Sequence, residues 1–301
     1  MTPSTSMPTH RPAPASPTTL PVLEGMVPMV EHPRRAFVEQ IMGLPMSVHI
    51  RGPRARDREV ARAVEAAFAS LRADDAMFSS WKPRSPVSRI RRGELRLRDA
   101  GARVRRVAAL CEEAADRTGG SFSAWLPGPD GAPAFDPTGL VKGWAVEQAF
   151  TELGEQLVAL GPHDALLSAG GDVVVACTRT DTPDWTVGFE DPRDRSRVLL
   201  TIPLRRGAVA TSGAAARGDH IVDPATGAPP RGLLSATVIG PGLAWADVYA
   251  TAAFVRGRNA APWVATLPEH AAVLVDLDGT VRTCPTPGPA ASAQPHDAPG
   301  R

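Results

Sequence analysis

Asp247 and Thr251 stand four residues apart in the run from Trp245 to Val255. On a helix that spacing puts a carboxylate and a hydroxyl on one face, about a turn apart. Two hard oxygen donors so placed suit a divalent cation such as Mg²⁺, with a backbone carbonyl, waters and substrate phosphate completing its shell. A dipole-favoured acid near a helix start, with a threonine bonded back to the preceding turn, explains the same pair. His220 is the kind of group that takes a proton near neutral pH from a reacting hydroxyl, although a single histidine at a strand end is more often structural. Lys142 falls in the first turn of a segment whose Leu140, Trp144, Ala145, Gln148 and Ala149 keep helical spacing. A helix N-terminus with an added ammonium binds anions well. Asp136, just before it, either caps backbone donors or reads a ligand's N–H, and Thr138 is placed to cap the helix. Taken alone, these residues are better read as a capped helix with a solvated lysine.

The elements that must position these groups follow from apolar periodicity. Residues 35–51 read as one strand, with Met42-Gly43 as a bulge or a close backbone approach. Residues 59–71 form an amphipathic helix through Val60, Ala63, Val64, Ala67, Phe68 and Leu71. Residues 77–90 are a turn-rich loop. Its Trp81 reads as a core anchor, the other reading being a plate for a flat ring. A second helix spans 99–118 and stops at Gly119-Gly120. After the central helix, which runs through Leu153 or beyond, residues 164–176 read as strand, Gly170-Gly171 break and strand, with Asp172 following the glycines. Strands are expected at 186–190, 198–204, 208–213 and 236–239. Residues 220–227 read as a strand end and a Pro/Gly turn, and 245–255 as a helix.

Composition narrows the function classes. The chain has 301 residues, with 33 Lys and Arg against 32 Asp and Glu, so it lacks the basic excess of a nucleic-acid binder despite the run Arg89 to Arg92. Lys82 and Lys142 are its only lysines, which makes Lys142 less easily dismissed as surface decoration. Cys111, Cys177 and Cys284 are scattered, with no Cys-x-x-Cys pair, so neither a disulfide framework nor a zinc site is indicated and a reducing compartment is expected. No segment is long and apolar enough to span a bilayer, and the first thirty residues lack the pattern of a secretory signal. The expected organisation is a Pro/Thr/Ser-rich disordered extension over 1–33, one domain over 34–284, and a Pro/Ala-rich disordered tail over 285–301.

Read together and in order, Met42-Gly43, Phe78-Ser79-Ser80-Trp81 with Ser85 to Ile90, Asp136 to Ala145, Ser168 to Asp172, Ala210 to Gly213, His220 to Gly227 and Ala246-Asp247 to Thr251 resemble the ApbE family of FAD:protein FMN transferases. The resemblance covers nearly everything between Arg35 and Thr283. It implies an α+β fold of mixed, largely antiparallel sheets with packed helices, an ApbE-like architecture related to the T-fold. It further implies Mg²⁺-dependent transfer of the FMN half of FAD to a threonine hydroxyl of an acceptor flavoprotein, with release of AMP.

Carried over by position, the resemblance implies that Met42 and Trp81 line the flavin site, Trp81 standing where a tyrosine is more usual. It implies FAD contacts for Asp136, Lys142 and Ile221, metal ligation by the Gly139 carbonyl, the Asp247 carboxylate and the Thr251 hydroxyl, and a general-base role for His220. Ser121-Phe122-Ser123 replaces the family's usual Ala-Phe-Asp, and the segment before Asp136 is short, which points to an altered adenine or ribose contact. The lipidated cysteine borne by many relatives is missing here, so a cytoplasmic enzyme is expected. Two other functions fit the same residues: a metal-dependent FAD pyrophosphatase giving FMN and AMP, and a non-catalytic flavin-binding protein.

Overall fold

The structure is a computed structural model that describes residues 33–127, 131–215, 218 and 220–285. The expected N-terminal extension and C-terminal tail lie outside these residues apart from Pro33 and Pro285. Strands β1 (Arg34–Ile41) and β2 (Leu44–Arg51) lead into helix α1 (Arg58–Phe78), followed by the short α2 (Pro86–Arg91) and by α3 (Ala102–Arg117). The small pair β3 (Trp125–Pro127) and β4 (Pro133–Phe135) precedes α4 (Thr138–Val158). Next come β5 (Asp164–Ala169), β6 (Asp172–Cys177), β7 (Trp185–Asp191), β8 (Asp194–Leu204), β9 (Arg206–Gly213) and β10 (Leu233–Gly240). Helices α5 (Leu243–Arg256) and α6 (Ala260–Val264) and strands β11 (Ala271–Asp276) and β12 (Val281–Cys284) complete the described chain.

Eight strands form one sheet in the order β1-β2-β5-β6-β9-β10-β11-β12, and every neighbouring pair in it is antiparallel. Its two faces are sorted by the period-2 alternation of strand side chains. Ala208 and Ala210 of β9, with Ala272 and Leu274 of β11, join the main core under the helices. The intervening Val209 and Val273 point the other way, onto Val187 and Phe189 of the β7–β8 hairpin. That hairpin is a separate two-stranded sheet covering the far face. Helix α5 is apolar almost all round, as a helix held between a sheet and other helices must be. Its one buried acid, Asp247, is thereby conspicuous.

Two stretches differ from their sequence reading. Residues 35–51 are a hairpin rather than one bulged strand. Met42 (φ 56°) and Gly43 (φ 71°) both adopt the left-handed conformation that a two-residue turn needs to match the strand twist. A methionine there breaks the Asn-Gly signature by which such turns are recognised. The second difference is Trp81, which is 92% exposed instead of anchoring the core. Its loop is pinned from below without it: the Ser85 and Ser88 hydroxyls donate to the Ser79 carbonyl, and Lys82 pairs with Asp75 at 2.6 Å. Trp81→Ala should therefore leave folding stability within about 0.5 kcal/mol of the unchanged chain, measured by urea unfolding. A larger loss would mean that the ring has a packing role.

Candidate active site

The central helix begins at Thr138, and its cap is Asp136 rather than Thr138. Asp136 Oδ1 accepts from the Thr138 N–H at 3.1 Å and from the Thr138 hydroxyl at 2.6 Å, while Oδ2 is bound by Arg91 at 2.7 Å. A carboxylate one residue before Pro137 reaches the first free N–H, whereas Thr138 is already inside the helix. Phe122, buried beneath the first turn, fixes the approach of the preceding loop; a Cβ added at Gly139 would lie 3.1 Å from its ring. Ser123 turns back on its own strand through the Trp125 N–H and carbonyl.

Helices α4 and α5 meet at Gly143. A Cβ added there would lie 2.8 Å from the Asp247 Cβ and 2.9 Å from the Leu243 carbonyl oxygen, so the close approach requires glycine. Glu147, one turn further along α4, accepts from the Ala244 N–H at 2.8 Å and satisfies a free donor at the start of α5. Together these contacts set the axial register of α5 against α4. That register places Asp247 Oδ2 2.9 Å from Lys142 Nζ and 3.2 Å from the Gly143 N–H. A regular helix directs the Gly143 N–H at the carbonyl of Gly139, so this carbonyl and the α5 carboxylate converge on one donor.

From the sheet side, Asp172 is carried in by the Gly170-Gly171 turn, where φ values of 61° and 102° allow β5 to reverse directly into β6. Its Oδ1 accepts from the Thr211 N–H at 3.0 Å, and its Oδ2 is ion-paired with Lys142 Nζ. Thr251, one turn beyond Asp247 on α5, meets Ser212 of β9 with their hydroxyl oxygens 3.0 Å apart. One ammonium thus lies between two buried carboxylates, at the floor of a cleft of about 200 Å³.

The cleft gathers most of the sequence-predicted site: Ser121, Phe122 and Ser123 on one wall, Asp136, Gly139 and Lys142 at the α4 end, His220 and Ile221 opposite, and Asp247 and Thr251 below. Met42 and Trp81 do not line it. Met42 sits at the tip of the β1–β2 hairpin, whose Pro45 carbonyl accepts from the Gly170 N–H at 3.2 Å, beside the turn that does line the cleft. Sequence reasoning left Asp172, Thr211 and Ser212 out of the site. The signal for Asp172 was the acid following a Gly-Gly turn, but only the β6–β9 pairing and α4 bring it to Lys142. Residues 220–223 are irregular rather than a strand end. There the His220 ring places Nδ1 3.0 Å from the Gly218 carbonyl. A carbonyl can only accept, so in the neutral ring Nδ1 carries the proton and Nε2 is left as the acceptor.

What this arrangement can do is constrained by charge and by donor type. One positive charge against two negative ones leaves the floor net negative, and an anionic phosphate would be repelled unless a further cation entered with it. Among the described residues no three His, Cys, Asp or Glu side chains cluster as a metal site. Two carboxylates, a hydroxyl and a helix carbonyl are nevertheless an all-oxygen set of the kind Mg²⁺ accepts when waters and phosphate fill the rest of its octahedron. The residues present therefore fit Mg²⁺. Among the described residues no cysteine lines the cleft, and burial pushes the Cys111 thiol up to about 12 and raises those of Cys177 and Cys284 as well, away from the reactive thiolate.

Known proteins share this fold and part of this sequence. The ApbE family profile matches residues 128–275. An FAD:protein FMN transferase of Rhodobacter capsulatus is 35% identical over 154 residues, a stretch that is 48% of this chain and 28% of that protein. The chain thus spans well under a third of that relative's length. The ApbE protein of Thermotoga maritima superposes with a TM-score of 0.71 at 22% identity, covering 83% of this chain and 96% of that one. The flavin transferase ApbE of Vibrio cholerae gives 0.68 at 17% identity, covering 84% and 96%. Among the described residues no helix is long and apolar enough to cross a membrane. The segment that matches the ApbE family profile spans the cleft's α4, β5–β6 and α5 elements, and the fold around them is that of the ApbE structures.

Proposed function

We propose that this chain is an FAD:protein FMN transferase that uses Mg²⁺ and passes the FMN half of FAD to a threonine hydroxyl of an acceptor flavoprotein. The observation that carries this reading is the Lys142 ammonium lying between the carboxylates of Asp172 and Asp247 in the cleft of an ApbE fold. In the reaction the threonine oxygen forms a bond to the phosphorus on the FMN side, the pyrophosphate P–O bond breaks, and AMP leaves with the electron pair. Mg²⁺, when bound, supplies charge stabilisation on the phosphoryl oxygens. Lys142, at the first turn of α4, adds its charge and that of the helix N-terminus to the same oxygens. Asp247, Thr251 and the Gly139 carbonyl would hold the cation, Asp136 would fix the entrance to α4 beside the ligand, and Ile221 would pack along it. Met42 and Trp81, outside the cleft as described, would meet the isoalloxazine ring only at its rim. The altered Ser121-Phe122-Ser123 wall faces the nucleotide on the other side.

His220 takes the proton. A threonine hydroxyl is a poor nucleophile at neutral pH, and the Nε2 left bare by the Gly218 contact is the acceptor that it needs. His220→Ala should slow transfer about 100-fold, the usual scale for losing a general base. Turnover unchanged in that variant would remove the role.

The deciding experiment incubates the chain with FAD and a threonine-containing acceptor peptide, with and without Mg²⁺, and follows AMP release and peptide mass. Metal-dependent gain of the FMN phosphoester mass is the expected result. AMP release with the peptide unmodified would instead make the enzyme an FAD pyrophosphatase. FAD binding without AMP would make it a flavin-binding protein.

A further inference from the structure

Lys142 is the second of only two lysines, and in this structure its ammonium occupies a position between two carboxylates that a metal ion would also be drawn to. Asp172 and Asp247 arrive from different layers of the fold, one from the β5–β6 turn and one from α5, and both carboxylates are more than nine-tenths buried. Like charges buried this close do not stay together without a cation. Asp247 Oδ2 has the Gly143 N–H as a second partner. Among the described residues Asp172 Oδ2 makes no hydrogen bond in the usual geometry, and its ion-pair partner is the Lys142 ammonium. Its other oxygen is held by the Thr211 N–H, which fixes the direction in which Oδ2 points.

We infer that Asp172 is a second carboxylate of the divalent-cation site, and that Lys142 holds the place of the cation when none is bound. The inference rests on the proposed function, in that it adds a residue to the metal site of that reading. The Lys142 side chain is the mobile part. Its stem starts from the cleft-facing turn of α4 and the side chain as a whole is about one-fifth exposed, whereas both carboxylates are fixed by backbone donors. An entering divalent cation takes over the two carboxylates, turning the net negative floor positive. The ammonium is released toward the cleft, where a phosphate lies in the proposed reaction. In either state both carboxylates have a cation beside them, and this gives a reason for a lysine rather than an arginine: a compact point charge on a flexible stem can serve both positions, which a rigid planar fork cannot.

The test is direct titration of the full chain with Mn²⁺, reading free Mn²⁺ by electron paramagnetic resonance, together with thermal unfolding with and without Mg²⁺. Asp172→Asn keeps the shape of the side chain and should weaken Mn²⁺ binding at least about tenfold, the scale of removing one supporting group at a metal site. Lys142→Gln should act in the opposite sense: tighter Mn²⁺ binding, a lower metal-free Tm, and recovery of that Tm when Mg²⁺ is added. Circular dichroism of each variant separates a lost ligand from a lost fold. Mn²⁺ bound by Asp172→Asn as tightly as by the unchanged chain would overturn the inference while leaving the transferase reading intact. Weaker binding in Lys142→Gln would overturn the place-holding role. An unchanged chain that binds no Mn²⁺ would overturn the inference too, and the separate assay of AMP and peptide mass would then show whether transfer proceeds without metal.

Discussion

Asp247→Ala should abolish Mg²⁺-dependent FMN transfer while the chain stays folded. The two effects separate because the carboxylate does different things for each. For folding it accepts one hydrogen bond, from the Gly143 N–H, and shares Lys142 with Asp172. When it is removed, Lys142 keeps Asp172 as counter-ion and Gly143 keeps the helix carbonyl as acceptor, so no buried charge is stranded. The cost in stability should be about 1 kcal/mol, the net worth of a typical buried hydrogen bond. For catalysis the same carboxylate is the one charged group that α5 contributes to the cleft floor. Losing it removes the cation from where phosphoryl charge develops, an effect of at least about 100-fold on kcat. The check is AMP release against Mg²⁺ concentration, paired with urea unfolding of the same preparation. Transfer that still rises with Mg²⁺ in this variant would take Asp247 out of the metal site.

Gly143→Ala should damage both stability and the site. In an ordinary helix interior it would be favourable by about 1 kcal/mol, because alanine is the better helix former. Here the added methyl would sit 2.8 Å from the Asp247 Cβ and 2.9 Å from the Leu243 carbonyl oxygen. Neither neighbour is the free end of a flexible side chain, so α5 itself must move away from α4. Overpacking of this kind costs about 1–3 kcal/mol, which outweighs the propensity gain. The displacement also pulls Asp247 from Lys142 and weakens the Glu147 cap on α5. The expected result is a lower Tm together with weaker metal binding and slower transfer. A variant that is more stable and fully active would mean that the helices have slack at this crossing.

How far the fold could be read from the chain depended on whether its signals were local. The strands β5, β6, β7, β8 and β10 and the helices α1, α4 and α5 are legible as runs of period 2 or 3.6, because one face of each meets a continuous core. The ends were less legible. The α1 helix runs on to Phe78, and α3 starts at Ala102 after a short 3₁₀ turn rather than at Asp99, since Gly101 breaks the periodic run. Met42 in a left-handed turn conformation, and Trp81 turned outward from a loop already held by serine hydroxyls, ran against the usual preferences of their residue types.

The site divides along the same line. The sequence by itself determined which groups were available: a carboxylate and a hydroxyl one helical turn apart at Asp247 and Thr251, a rare lysine in a helix's first turn at Lys142, an acid after two glycines at Asp172, and a histidine in a Pro/Gly turn at His220. The Asp247–Thr251 spacing is set by helix geometry alone and needed nothing further. Only the tertiary structure decided that Asp172, 30 residues from Lys142 and 75 from Asp247, shares one ammonium with Asp247. That meeting depends on the pairing of β6 with β9 and on the close crossing of α4 and α5 at Gly143. Both are long-range contacts fixed by packing, and packing distances leave no period in a single chain.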